Sequence, residues 1–158
     1  MIDTLVARGG FVKDLHGAKN MYYQVNATYY SALGEDDKKM LFARAVQMFM
    51  PGKPQVWYLD LFAGKNDHEA VARAGAGGHK EINRTNLSLE QIDTDLQREV
   101  VRKQIELLQL RKSHPAFGFD SQLSIDTNGS VVTFTWTKGS DTIALKADFS
   151  TYEYQIIK

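Results

Sequence analysis

The stretch Leu41 to Gly64, LFARAVQMFMPGKPQVWYLDLFAG, constrains this chain more than any other. Leu41, Phe42, Ala45, Val46 and Phe49 recur at helical spacing, and Met48 and Met50 widen the apolar stripe until little of the circumference is polar. The helix they predict is therefore a buried one. Pro51 and Gly52 stop it, and Pro54 prevents its restart. Gln55 to Leu61 is β-branched and aromatic without the alternation of a half-wet strand, which predicts a strand covered on both faces. A buried helix, a short turn and a doubly covered strand make one αβ step of a parallel sheet or barrel, and such a strand requires neighbours. The rest of the chain offers no obvious candidates.

The 158 residues are 43% hydrophobic and 24% charged, a composition that suits one ordinary globular domain. Nineteen basic and nineteen acidic residues cancel, and no dense Lys/Arg run stands out, which argues against nucleic acid or an anionic membrane as partner. Neutral or small partners remain. Without cysteine there is no disulfide scaffold and no thiolate metal site, and the N-terminus lacks the pattern of a signal peptide, so a cytoplasmic setting is expected. His16, His68, His79 and His114 show no ligand spacing, no H-E-x-x-H pair occurs, and no serine stands in a G-x-S-x-G elbow. No metal site and no Ser or Cys triad is expected. Asp67 with Glu69, or Asp60 with Glu81, would qualify as glycosidase-type pairs only with carboxyl groups about 5 to 9 Å apart.

In chain order, Ile2, Leu5 and Val6 share a face of a short opening helix closed by Gly9 and Gly10, too small to form a core. From Phe11 to Ser31 loop and short extended pieces are expected. There Tyr22, Tyr23, Tyr29 and Tyr30 interleave with Gln24, Asn26 and Thr28. Aromatic faces beside amides suit a sugar site, because pyranose C–H faces stack on rings while hydroxyls take amide hydrogen bonds; an aromatic core edge explains the same residues. Glu35, Asp36 and Asp37 cap the buried helix against its macrodipole. Ala63 to Ala76 reads as a polar, solvated loop that continues into Gly77-Gly78-His79-Lys80-Glu81. Asp60 falls at the C-terminal end of the predicted strand, where parallel folds place active sites. Backbone amides with His79 and Lys80 suit an anion, although neither the Walker nor the dinucleotide spacing is present.

Ser88 to Gln91 is a capping box opening a short helix. Glu99 to Ser113 predicts a longer helix carrying Val100, Val101, Ile105 and Leu108, its charges, Arg111 among them, on the outer face, and Pro115 closes it. From Gln122 the period is two. Gln122–Asp126, Val131–Thr137, Thr142–Ala147 and Tyr152–Ile157 are expected strands of an antiparallel module, the first two joined by a tight turn at Asn128-Gly129.

Specific words then matter more than periods. YQVNATYYSALG (Tyr23 to Gly34), ARAVQMFMPGKPQVWYLDLFAGKND (Ala43 to Asp67), EINRTN (Glu81 to Asn86) and LRKSHPAF (Leu110 to Phe117) closely resemble the C-terminal third of the sucrose phosphorylases and their relatives in glycoside hydrolase family 13, the α-amylase superfamily. The resemblance covers roughly Asp3 to Phe119. It implies α/β plus β architecture: residues 1–117 as the C-terminal part of a (β/α)8 barrel, its last helices and last strand, and 118–158 as a small antiparallel β domain. The missing neighbours of the strand are then expected upstream of Met1.

The activity so implied is reversible phosphorolysis of an α-glucoside by a retaining double displacement, with inorganic phosphate as co-substrate and no further cofactor. The family's Arg-x-Asp-Ala and His-Asp words do not occur here, so the catalytic carboxylates are expected in an N-terminal complementing part, and this chain alone is expected to be inactive. What maps onto it is acceptor-side: Tyr23 and Gln24 in an acceptor loop, and Lys80 where sucrose phosphorylases usually carry arginine. His79-Lys80-Glu81 and Asp60 depart from the usual words. A lysine is a point charge where arginine is a fork, so the acceptor side suits another anion or polyol. Sucrose 6′-phosphate and glucosylglycerate join sucrose as candidate substrates, and the wording HKEINRTN inclines toward glucosylglycerate. The rival reading is a non-catalytic carbohydrate-binding or structural module.

Overall fold

A computed structural model describes residues 1–14 and 22–158. Its elements run α1 (Ile2–Ala7), β1 (Phe11–Asp14), β2 (Tyr22–Asn26), α2 (Tyr29–Ala32), α3 (Asp37–Phe49), α4 (Tyr58–Leu61) and α5 (His68–Ala74). A 3₁₀ segment (Gly78–Asn83), α6 (Leu89–Asp95), α7 (Glu99–Ser113), β3 (Gln122–Asn128), β4 (Val131–Lys138), β5 (Asp141–Asp148) and β6 (Glu153–Ile157) follow. The chain divides into two compact units: Met1–Asp36 with Val56–Val101, and Asp37–Gln55 with Arg102–Lys158.

The second unit sets α3 against a four-stranded antiparallel meander ordered β3-β4-β5-β6. Phe134 pairs with Leu145 and Trp136 with Ile143, and all four are buried on one face of the sheet. Thr133, Thr135 and Thr137 alternate onto the other face, as period two requires. Met40, Phe42, Ala45, Met48 and Phe49 of α3 are buried. Trp136 Nε1 donates to the Phe49 carbonyl at 2.8 Å, which gives the indole a partner where it leaves water. Phe42 meets Phe149 edge to face at 4.9 Å, and Phe49 meets Phe117 at 5.2 Å.

Both two-residue hairpin loops are Gly-Ser. Asn128 pairs with Val131 and Lys138 with Asp141, so Gly129 (φ 60°) and Gly139 (φ 59°) take the first central position, the pattern of a type II′ turn. The expected Asn-Gly turn is thus shifted by one residue, and Asn128 belongs to the strand.

Two expectations for helices need correction. Val100, Val101, Gln104 and Leu107 of α7 are buried, and Ile105 and Leu108 are half-buried. Gln104 Oε1 accepts from the buried Arg44 Nε at 2.9 Å, so a polar pair occupies what reads as outer face. Arg111, expected outside, lies half-buried over the rings of Phe117 and Trp136. Ala63–Ala76 is not a continuous loop: Asp67 Oδ1 accepts from Ala70 N at 2.8 Å and caps α5, and the glycine-bearing stretch after it winds into the 3₁₀ segment.

The larger correction concerns Gln55–Leu61. Residues 55–57 form no regular element and Tyr58–Leu61 is one helical turn, so Asp60 does not end a strand. Among the described residues no strand pairs with this segment, and Trp57 is 50% exposed. A strand exists only through ladder hydrogen bonds to neighbours, and β propensity alone does not make one.

Candidate functional site

In the first unit, loops are held by polar side chains bonded to backbone groups. Thr28, at the N-cap of α2, accepts from Ser31 N, and its own amide donates to Asn66 Oδ1 at 2.7 Å. Asn66 N donates to Ser31 Oγ, which donates to Glu35; Lys65 pairs with Glu35 at 2.6 Å. That hydrogen bond from Lys65 is the main reason the Glu35 carboxyl lies below its ordinary pKa. Asn83 Nδ2 donates to the Ala27 carbonyl, tying the 3₁₀ segment to the end of β2, and Trp57 Nε1 donates to the Asn83 carbonyl. Tyr58 OH reaches the Thr85 carbonyl at 2.7 Å.

Among the site residues expected from sequence, Gln24 lies on β2, while His79 and Lys80 lie on the 3₁₀ segment packed against it. All three are half-buried. The buried Gln24 Oε1, His79 Nε2 and Asn26 Nδ2 have no hydrogen-bond partner among the described residues. Lys80 makes no ion pair among them either. Tyr23 is a β2 residue whose side chain lies outside the described residues, as does His16 entirely. Asp60 Oδ1 accepts from the Tyr29 amide at 2.7 Å, at the first turn of α2.

The carboxylate pairs considered from sequence are committed elsewhere. Asp67 caps α5 and accepts from Thr85 Oγ1 at 2.9 Å; the Ala70 amide leads in holding its pKa below the ordinary aspartate value. Glu69 pairs with Arg73, and Glu81 with Arg84. No group of three or more His, Cys, Asp or Glu suited to a metal ion occurs among the described residues. The tyrosines divide: Tyr30 is buried under the Arg98 guanidinium, while Tyr22 is 43% exposed. Asn66 and Asn83, the amides that lace these loops, sit in the words AGKND and EINRTN, and nothing in their local pattern marks them as site residues.

No protein-family model matches this chain. It is 51% identical over 99% of its length to a sucrose 6(F)-phosphate phosphorylase of Ilumatobacter coccineus, covering 30% of that protein. The crystal structure of sucrose 6F-phosphate phosphorylase from Thermoanaerobacter thermosaccharolyticum superposes on 98% of this chain with a TM-score of 0.90 at 37% identity, 31% of that chain being matched. A glucosylglycerate phosphorylase of Escherichia coli shares 28% identity over 84% of the chain. The chain spans about a third of the length of the curated relatives it matches. In wording and fold alike, it is similar to the sucrose and sucrose 6F-phosphate phosphorylases over about a third of their length.

Proposed function

We propose that this chain is the acceptor-side segment of a retaining α-glucosyl phosphorylase that converts sucrose 6F-phosphate and inorganic phosphate into glucose 1-phosphate and a fructose phosphate. Residues 1–117 are its part of a (β/α)8 catalytic barrel and 118–158 a small β domain. The observation that carries this reading is the 51% identity, over 99% of the chain, to a protein named for that substrate. In such chemistry an enzyme carboxylate takes the glucosyl group and phosphate then attacks the ester in place of water. Those carboxylates lie outside the segment.

Within this reading, Gln24 Oε1 is unpartnered because a sugar hydroxyl donates to it, and His79 Nε2 because a sugar hydroxyl or phosphate oxygen completes it. Lys80, without an ion pair among the described residues, supplies a point charge to the acceptor phosphate, and Tyr23 closes the same side. Asp60 holds α2 in place through the Tyr29 amide.

The test is a chimera in which this chain replaces the matching third of the Ilumatobacter protein. It should release glucose 1-phosphate from sucrose 6F-phosphate, and Lys80→Ala should raise KM for that substrate roughly ten- to a hundredfold, the worth of one charge-assisted hydrogen bond, while leaving sucrose little affected. A folded chimera inactive on both sugars would refute the phosphorylase reading. An unchanged preference in Lys80→Ala would refute only the substrate.

A further inference from the structure

A groove of about 580 Å³ opens within the second unit, in the size range of small-molecule sites. Its charged lining residues are Lys53, Arg111 and Lys112, with no carboxylate among them. The Arg111 guanidinium stands 4.3 Å from the Phe117 ring centre and 4.9 Å from that of Trp136, and Nη2 donates to the Gly52 carbonyl at 2.9 Å. Nη1 is buried with no acceptor among the described residues, and so is Ser121 Oγ on the same lining with no partner.

Bracing the turn after α3 explains the stacked rings and Nη2. It leaves three features without a reason: a cationic donor withdrawn from water and unpaired, a hydroxyl in the same condition, and Phe119, fully exposed on the groove. Burial lowers the pKa of Arg111. The guanidinium nonetheless stays protonated.

We propose that this groove binds a phosphorylated sugar, a second ligand site in the unit that lacks the acceptor residues: the phosphate sits on Arg111 Nη1 and Ser121 Oγ, Lys53 and Lys112 balance its charge, and the ring lies against Phe119. Guanidinium and hydroxyl are both donors that a phosphate oxygen accepts from, and the cation excess selects an anion over a neutral sugar. The proposal rests only on the second unit and does not need the phosphorylase reading.

The chain has two tryptophans, so in Trp57→Phe the fluorescence of Trp136 reports on the groove alone. Titration with glucose 1-phosphate should give a saturable change at micromolar to millimolar concentration, inorganic phosphate a weaker one, and glucose none. Arg111→Gln should weaken binding about tenfold or more, Ser121→Ala a few-fold, and added salt should weaken it further. Lys53→Ala with Lys112→Ala, at exposed positions that leave the core untouched, should also cost a few-fold, and this pair decides if the arginine variant misfolds. Lys80→Ala should leave the titration unchanged. No saturable change in folded Trp57→Phe protein, equal response to glucose, or indifference to the lysine pair would each overturn the site.

Discussion

In the second unit the buried side chains are mostly hydrocarbon, Phe42, Phe49, Phe134, Trp136, Ile143 and Leu145 from one helix and one sheet, with Arg44 and Gln104 as a bonded exception. In the first, the buried set includes Asn26, Thr28, Ser31 and Asp95, and its loops are fastened by single hydrogen bonds, accepted by Asn66 and Asp60 and donated by Asn83. A sheet with a helix on one face closes a core from local sequence. A loop assembly whose aromatic segment pairs with no strand among the described residues has no such closure, and directional polar bonds carry what packing does not. The contrast teaches where damage will spread. Burial of apolar area adds over many contacts, whereas each polar tie holds one loop.

Phe49→Ala should have the largest effect. The side chain is fully buried between Phe117 and the sheet, and its loss should cost about 3–5 kcal/mol, read as a fall in the urea midpoint by circular dichroism. A cost under about 1 kcal/mol would break the view of a hydrocarbon core. Asp60→Ala should come next, at about 1–3 kcal/mol, because the Tyr29 amide loses its acceptor; amide exchange at Tyr29 should rise far more than exchange across β4 and β5. Uniform acceleration through both units would contradict local fastening.

Asp67→Ala should cost about 1 kcal/mol through the lost cap, with fraying confined to α5 and the Thr85 contact. The smallest effect is a pH effect at the turn between β5 and β6. The Asp148 carboxylate accepts from Ser150 Oγ at 2.7 Å and Ser150 N at 2.9 Å, and these bonds bring its pKa down to about 2. A folded pKa below the ordinary value means the contribution is whole above about pH 4 and disappears as pH falls through about 2. Ser150 amide exchange should quicken over that interval, and Asp148→Asn should abolish the step.

Elements built on local chemistry were readable in advance. The β-branched alternation of β3 to β6, the Ser88 cap of α6, the Gly9 stop after α1 and the span of α7 all follow from residues within a few places of one another. Which face of α7 turns inward was not readable, because Gln104 is buried by an arginine 60 residues away in sequence. Nor was the use of Asp67 as a cap, since HEAVARA carries helix formers in a polar setting that also suits a loop. Of the site, Gln24, His79 and Lys80 could be named from their words, and their packing against one another's elements depends on the Asn83 to Ala27 bond.

By itself the sequence determined the four-stranded meander, the main helices and the kinship with the phosphorylases, because propensity, capping and word order are properties of neighbouring residues. Only the tertiary structure decided that Gln55–Leu61 is not a strand here and that Arg111 lies over two rings. Both depend on what stands beside a residue in space: a strand needs a partner's amides and carbonyls, and a guanidinium is drawn inside only where aromatic faces and a free carbonyl meet it.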